Sequence, residues 1–470
     1  MTNTEKNAES FRDKISTVDK KGKRVWIYPK KPFGNLHRAR SVVAVILLAI
    51  LFGGPFITIN GRPLLLLDIL NRNFVIFGVR FWPQDIHLFV LGTIALIVFV
   101  VLFTVVFGRI WCGWACPQTI FMEMLFRKIE YWIEGDAAQQ RKLNQAPWTG
   151  KKIFKKLSKH FIFFAISFII GNTFLAYIIG KDALFKIISD PPSQHLGGLT
   201  AMIIFSAVFY WIYAFFREQV CTLVCPYGRL QGVLLDPQST VVIYDYKRGE
   251  PRGKRKKSEE DKYGDCIDCN QCVDVCPTGI DIRNGTQLEC VNCTACIDAC
   301  NNVMDKINKP RGLIRYDSYK GVENREKLRF TPRMMGYTAI LTIIIAILTI
   351  MLMTRSPVET TILRTPGVMY QELADGKIAN LYNVMIVNKT YHPMDIRLQL
   401  DENTGEIEMV GGKLHVAENA TAESSFFIKI AKQKLRSRNI PVEIEVYSGN
   451  ELLEKLKTSF IGPQPSQKRK

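Results

Sequence analysis

No cysteine follows Cys300 in this chain of 470 residues, although eleven stand before it. A disulfide-stapled C-terminal domain is thereby excluded, and the thiols that are present read as ligands or redox groups. Apolar runs are missing from the first forty residues, and the first to follow is a full-length span, so a cleaved signal peptide is not expected. Charge is nearly absent from five stretches: Ser41–Ile59, Leu88–Phe107, Phe161–Ile179, Leu199–Phe216 and Gly336–Met353. Each is long enough to cross, or nearly cross, a hydrocarbon core of about 30 Å.

Acidic residues are in the minority, 43 against 62 Lys and Arg, which leaves a net charge of +19. The excess is uneven. Lys and Arg crowd the N-terminal tail (Lys20, Lys21, Lys23, Arg24), the loop after the second span (Arg127, Lys128, Lys151, Lys152) and the segment Arg217–Arg333, whereas Asn60–His87 and Gly180–Gly198 carry few. Basic short loops stay on the cytoplasmic side. The N-terminus and the cysteines are therefore expected on the cytoplasmic face of the membrane, and the C-terminal domain outside. Anionic headgroups account for the remaining attraction. The run Lys254–Lys257 has no aromatic stacking platform beside it, so no nucleic-acid partner is expected.

Two four-cysteine runs stand back to back: Cys266, Cys269, Cys272 and Cys276, then Cys290, Cys293, Cys296 and Cys300. This is the C-x2-C-x2-C-x3-C spacing of bacterial two-cluster ferredoxins, in which the fourth cysteine ligates the other cluster. One 4Fe–4S cluster is expected on Cys266, Cys269, Cys272 and Cys300, the second on Cys290, Cys293, Cys296 and Cys276. Paired zinc sites are the competing reading, disfavoured by two matching runs and the Cys276-Pro277 step. Pro277 and Gly279 predict a turn behind Cys276, while Asn301 stands where a second proline is missing.

The membrane part reads as a repeat. Two spans lead into Cys112-x3-Cys116-Pro117, and two more into Cys221-x3-Cys225-Pro226. Cysteines at i and i+4 of a helix share a face, so the four sulfurs are candidate catalytic thiols and candidate ligands for Cu(I), zinc or an iron–sulfur centre. Arg109, Arg217 and Arg229 flank these motifs and read as headgroup anchors. Thr119–Ile133 predicts an amphipathic helix on the membrane surface. His87 and His195 open the second and fourth spans, Asn172 predicts an interhelical hydrogen bond, and Met351, Met353 and Met369 read as packing residues.

From Val358 onward the period changes to two, over Tyr382–Val387, Ile396–Leu400, Glu406–Val410, Phe426–Ile430 and Val442–Val446. Turn formers, Asn403-Thr404-Gly405 and Gly411-Gly412, separate these runs and predict an immunoglobulin-like β-sandwich. Sequons at Asn388 and Asn419 are short enough to be accidental. The expected organisation is a multi-domain membrane protein: a basic tail (1–40), four transmembrane helices as two repeats (41–257), a cytoplasmic two-cluster ferredoxin module (258–312), a linker (313–335), a fifth transmembrane helix (336–353) and the external domain (356–470).

Trp111-Cys112-Gly113-Trp114-Ala115-Cys116-Pro117-Gln118-Thr119, the second C-x3-C-P, Arg248-Gly249-Glu250-Pro251-Arg252-Gly253, Gly264-Asp265-Cys266-Ile267-Asp268-Cys269 and Gly312-Leu313-Ile314-Arg315-Tyr316 together resemble the CcoG/FixG family of cytochrome oxidase accessory proteins. The resemblance covers nearly the whole chain. It implies a role in assembling a cbb-type haem–copper oxidase, with reduction of Cu(II) to Cu(I) as the activity. Implied partners are copper chaperones, oxidase subunits, the lipid bilayer and an electron donor that the sequence does not identify. C-x3-C-P before a ferredoxin module is also similar to the membrane polyferredoxins of nitrate and nitrous oxide respiration (NapH and NosR), which leaves an electron relay to another reductase as an alternative. A non-enzymatic assembly scaffold is the third reading.

Overall fold

In the computed structural model of the chain, five helices are long and apolar enough to cross a membrane, and each grows out of one of the uncharged stretches. The structure describes residues 17–463 apart from 19–20, 22, 60, 70–72, 83–84, 254–262, 327–328, 368, 391, 401–404, 413, 419 and 436. Lys20, the Lys254–Lys257 run, the start of the expected ferredoxin module at Ser258, the Asn403-Thr404 turn and Asn419 lie outside these residues. The spanning helices are α1 (Asn35–Gly53), α2 (Ile86–Phe107), α3 (Gly150–Ile179), α4 (Leu196–Trp211) and α6 (Pro332–Met353); α5 (Ala295–Lys306) belongs to the cysteine-rich region. Val45, Ile204 and Ile343 are among many apolar side chains left exposed along them. Such a surface marks a membrane protein.

Two compact units divide the chain, Met1–Leu348 and Thr349–Lys470. The second is a sandwich. Strands β3 (Val358–Arg364), β4 (Lys377–Asn388), β5 (Met394–Leu400), β6 (Glu406–Val410), β7 (Leu414–Val416), β8 (Thr421–Ala431), β9 (Asn439–Ser448) and β10 (Glu451–Ile461) form sheets of order β6-β8-β4-β3 and β7-β5-β9-β10. Their alternating residues, including Tyr382, Ile386, Phe426, Ile444 and Phe460, bury one core. Asn388 is fully buried and donates to the His392 and Ala417 carbonyls, so its sequon is accidental.

In the first unit, β1 (Val241–Tyr244) pairs antiparallel with β2 (Ile314–Asp317) beneath the cysteine runs. The expected linker 313–335 therefore begins as an integral strand of the cysteine-rich module. Between the first two spans, Leu65–Asp68, Asn73–Ile76 and Val79–Phe81 pair as a three-stranded antiparallel sheet. Asn172 donates to Phe168 O of its own helix at 2.8 Å and not across helices, because a polar side chain in an apolar helix reaches the i−4 carbonyl first.

Thr119–Ile133 is not a surface helix. Ile120–Phe126 is π-helical and continues into Arg127–Ile133, and Phe121, Glu123, Phe126, Arg127 and Glu130 are all buried. Its charges pair inward. Glu130 receives Arg217 (2.8 Å) and Lys159 (3.4 Å), Glu123 receives Arg127 (2.6 Å), Glu134 receives Lys156 and Lys159 (both 2.8 Å), and Glu218 receives Arg24 (2.9 Å). Arg217 is thus a buried structural cation and not a headgroup anchor.

Burial opposes ionisation of Glu130, but Arg217, Lys159 and Arg127 overcome it and hold the carboxyl down at about 2, below its ordinary 4.5. A depressed carboxyl stabilises the fold above pH 4.5, and that contribution is lost as pH falls toward 2. Glu130→Gln is expected to cost about 3–5 kcal/mol by leaving buried cations unpaired. Thermal unfolding in detergent should show a lowered midpoint and a weaker acid dependence over that window; an unchanged midpoint would contradict the network.

Candidate redox site

The two cysteine runs fold as two loops of one conformation. Residues flanking the second cysteine of each take left-handed backbone: Asp268 and Asn270 around Cys269 (φ 53° and 57°), Asn292 and Thr294 around Cys293 (φ 52° and 66°). Asp and Asn tolerate this region, and the alternation turns successive N–H groups to one side as a nest for negative charge. Arg283 braces the first loop, donating to Asp268 and Asn270 at 2.6 Å each.

Cys266, Cys269, Cys272 and Cys300 line one pocket, walled by Tyr244, Met304, Leu313 and Ile314. Cys276, Cys290, Cys293 and Cys296 line a second, with Val242, Ile280 and Ile282. The fourth cysteine of each run thus meets the first three of the other. Behind Cys276, the Gly279 N–H donates back to Cys276 O at 3.2 Å with Gly279 at φ 71°, the expected turn. Cys300 instead lies inside α5, which continues because position 301 is not proline; Asn301 Oδ1 accepts the Gly312 N–H at 2.9 Å.

Burial pushes the thiols of Cys272, Cys290 and Cys300 up to about 12 and that of Cys293 to about 11. Such thiols keep their protons at neutral pH until a metal displaces them. Among the described residues no three His, Cys, Asp or Glu converge on a position for one metal ion. Sulfurs spread around two apolar walls instead fit a multi-iron group.

The C-x3-C-P motifs repeat in backbone detail. The residue after α2, Gly108, has φ 58° and ψ −127°, and its counterpart Arg217 has φ 53° and ψ −123°. Cys116 and Cys225 are extended N-caps (φ −61°, ψ 124° and φ −65°, ψ 112°), and each N–H reaches the carbonyl five residues back, Trp111 O at 2.9 Å and Val220 O at 2.8 Å. The cysteines of a pair therefore do not share one continuous helix. Pro117 and Pro226 push the residue before them out of helical conformation.

The motifs do meet. Cys112, Cys116 and Cys225 all act electrostatically on Cys221, whose thiol burial pushes up to about 12; burial lifts Cys112 to about 11. Gln231, fully buried, holds the Cys112 sulfur (Nε2 to Sγ 3.4 Å). Gly113 lies directly on the second cysteine loop: a Cβ there would stand 2.5 Å from Val291 O and 2.8 Å from Asn292 O. Cys112 packs with Val275, Val291 and Cys293. Arg109, expected as an anchor, is buried and donates to the carbonyls of Leu288, Cys290 and Gly228, tying both motifs to that loop.

Family profiles match three parts of the chain: a 4Fe-4S binding domain over residues 89–135, a 4Fe-4S dicluster domain over 216–319, and the IG-like fold at the C-terminus of FixG over 348–463. Protein RdxA of Cereibacter sphaeroides is 34% identical over 84% of this chain and 87% of its own, and Protein RdxB of the same organism 35% over 80% and 82%. Nitrogen fixation protein FixG of Rhizobium meliloti is 33% identical over 85% and 83%. The chain belongs to the FixG family. It is an iron–sulfur membrane protein of electron transfer.

Other FixG-family motifs quoted above prove to be scaffolding. Arg248 pairs with Asp265 (2.6 Å), and Gly264 leaves no room for a side chain against Gly249, so the Arg248–Gly253 segment cradles the Cys266 loop. Tyr316 OH donates to Asn292 O (3.0 Å) and accepts from Trp114 Nε1 (3.2 Å), joining β2, the second loop and the first C-x3-C-P. Gln231 and Arg40, whose Nε donates to Gly113 O at 2.6 Å, carry no motif that would have singled them out. His195 pairs with Asp190 at 3.0 Å and His87 is exposed.

In the cluster-loaded, copper-free protein, iodoacetamide labelling of Cys112 and Cys221 is expected to be slow at pH 7 and to rise about tenfold per pH unit well past pH 9. Mass spectrometry of the labelled peptides reads this. A plateau by pH 9 would mean ordinary, accessible thiols.

Proposed function

We propose that the protein reduces Cu(II) to Cu(I) during assembly of a cbb-type haem–copper oxidase. The observation that carries this reading is the seating of Cys112 and Gly113 on the loop of the second cysteine run, which puts soft thiols beside the electron store. In this reading Cys266, Cys269, Cys272 and Cys300 hold one 4Fe–4S cluster, and Cys276, Cys290, Cys293 and Cys296 hold the other. When bound, the clusters supply single electrons. Cys112, Cys116, Cys221 and Cys225 offer copper the sulfur ligands that Cu(I) prefers. Each Cu(II) accepts one electron and leaves as Cu(I); the thiols release protons on binding it and recover them on its departure. Gln231 orients the Cys112 sulfur, and the Arg109 charge favours its ionised form.

The distribution of Lys and Arg supports a cytoplasmic N-terminus and cluster module in a bacterial inner membrane, with the sandwich in the periplasm. There the sandwich would meet a copper chaperone or an oxidase subunit. A second reading, an electron relay to another respiratory reductase, draws on one observation: no three candidate ligands among the described residues converge on a single-ion position.

Reduced, cluster-loaded protein mixed with Cu(II) and a Cu(I)-chelating dye separates the two. The double variant Cys112→Ser with Cys221→Ser is expected to form Cu(I) at least tenfold more slowly with its cluster spectrum intact. An unchanged rate would contradict the thiol role.

A further inference from the structure

A cleft of about 480 Å³ opens where α1 begins, against the π-helical segment, lined by Lys31, His37, Arg40, Lys128, Tyr131 and Trp132. Glu123 also borders it, but that carboxylate is engaged by Arg127 at 2.6 Å. The cleft is therefore cationic. Burial, together with the charges of Arg40 and Lys31, holds the Lys128 ammonium below its ordinary value.

Arg40 supplies the second observation. It is 3% exposed, and its Nε is spent on Gly113 O at 2.6 Å, yet its Nη2 is buried with no hydrogen-bond partner among the described residues. A buried guanidinium nitrogen left unpaired at a cavity wall is costly unless something fills it. The planar fork of arginine matches the oxygens of a phosphate.

Position selects the source of that phosphate. Lys128 Nζ donates to Ser41 Oγ at 3.2 Å, at the point where α1 turns from polar to apolar, and Val42 and Val45 beyond it are exposed. Trp132 is 80% exposed at the rim. Basic residues and an exposed tryptophan at the end of a span lie at headgroup depth, and basic pockets between spans on the cytoplasmic side take anionic headgroups. We propose that this cleft binds the phosphate of an anionic phospholipid, with Arg40, Lys128 and Lys31 as its cationic partners. The site is separate from the cysteines, although Arg40 links it to the backbone beside Cys112.

Calorimetric titration of the full-length, cluster-loaded protein in detergent tests this, using dioctanoyl phosphatidylglycerol, dioctanoyl phosphatidylcholine and inorganic phosphate as probes. Phosphatidylglycerol is expected to bind saturably, and at least tenfold more tightly than phosphatidylcholine or inorganic phosphate. Lys31→Gln with Lys128→Gln, both at exposed positions, should weaken it at least tenfold while cluster absorbance is retained. Absence of saturable binding, equal affinity in the double variant, or equal affinity for phosphatidylcholine would overturn the proposal. Inorganic phosphate binding as tightly as the lipid would overturn the lipid assignment.

Discussion

The missing side chain at position 113 is the constraint on which the rest of the redox site depends. Gly113 lies against the carbonyls of Val291 and Asn292 so closely that any Cβ would collide with backbone, which cannot step aside. That contact brings a membrane-boundary motif onto the loop holding Cys290 and Cys293. Arg40, Arg109, Trp114 and Tyr316 then fasten the same junction from four directions, each through a backbone carbonyl or a hydrogen bond to a neighbour that makes one. Carbonyl acceptors are insensitive to side-chain identity on the far side. The junction is therefore a fixed backbone seam.

The buried ions next to this seam solve a related problem. A chain that turns back at the end of a span must bring helix ends, loops and charges together where water is scarce. Glu123, Glu130, Glu134 and Glu218 answer Arg24, Arg127, Lys156, Lys159 and Arg217 there. Arg217 occupies backbone dihedrals that its repeat partner meets with glycine. Strain of this kind, about 1–3 kcal/mol, persists only where surrounding contacts over-determine it, and the ion pairs to Glu130 and Glu218 do so.

Much of this architecture was legible in the residues. Uncharged runs located all five spans, alternation located the sandwich strands, and the spacing of eight cysteines anticipated which of them would share a pocket. Periodicity misled at Thr119–Ile133: a stripe of Glu and Arg opposite Phe and Leu looks the same whether the charges face water or each other, and only the distant partners Lys159, Arg217 and Glu218 decide. Arg109 failed for the same reason, since a basic residue at the end of a span gives no sign that carbonyls wait for it. The i, i+4 rule failed at both C-x3-C-P motifs because the proline acts on the residue before it and breaks the helix between the two sulfurs. Gln231 was invisible, being an ordinary residue made special by long-range packing alone.

The central claim, that copper draws its electron from the clusters through this seam, is tested most directly by stopped-flow mixing of the reduced, unmodified protein with Cu(II), following cluster absorbance and Cu(I) together. The account predicts that the clusters reoxidise in step with the appearance of Cu(I), one copper reduced per electron lost. Clusters that stay reduced in the presence of Cu(II), or Cu(I) that forms without cluster reoxidation, would contradict it.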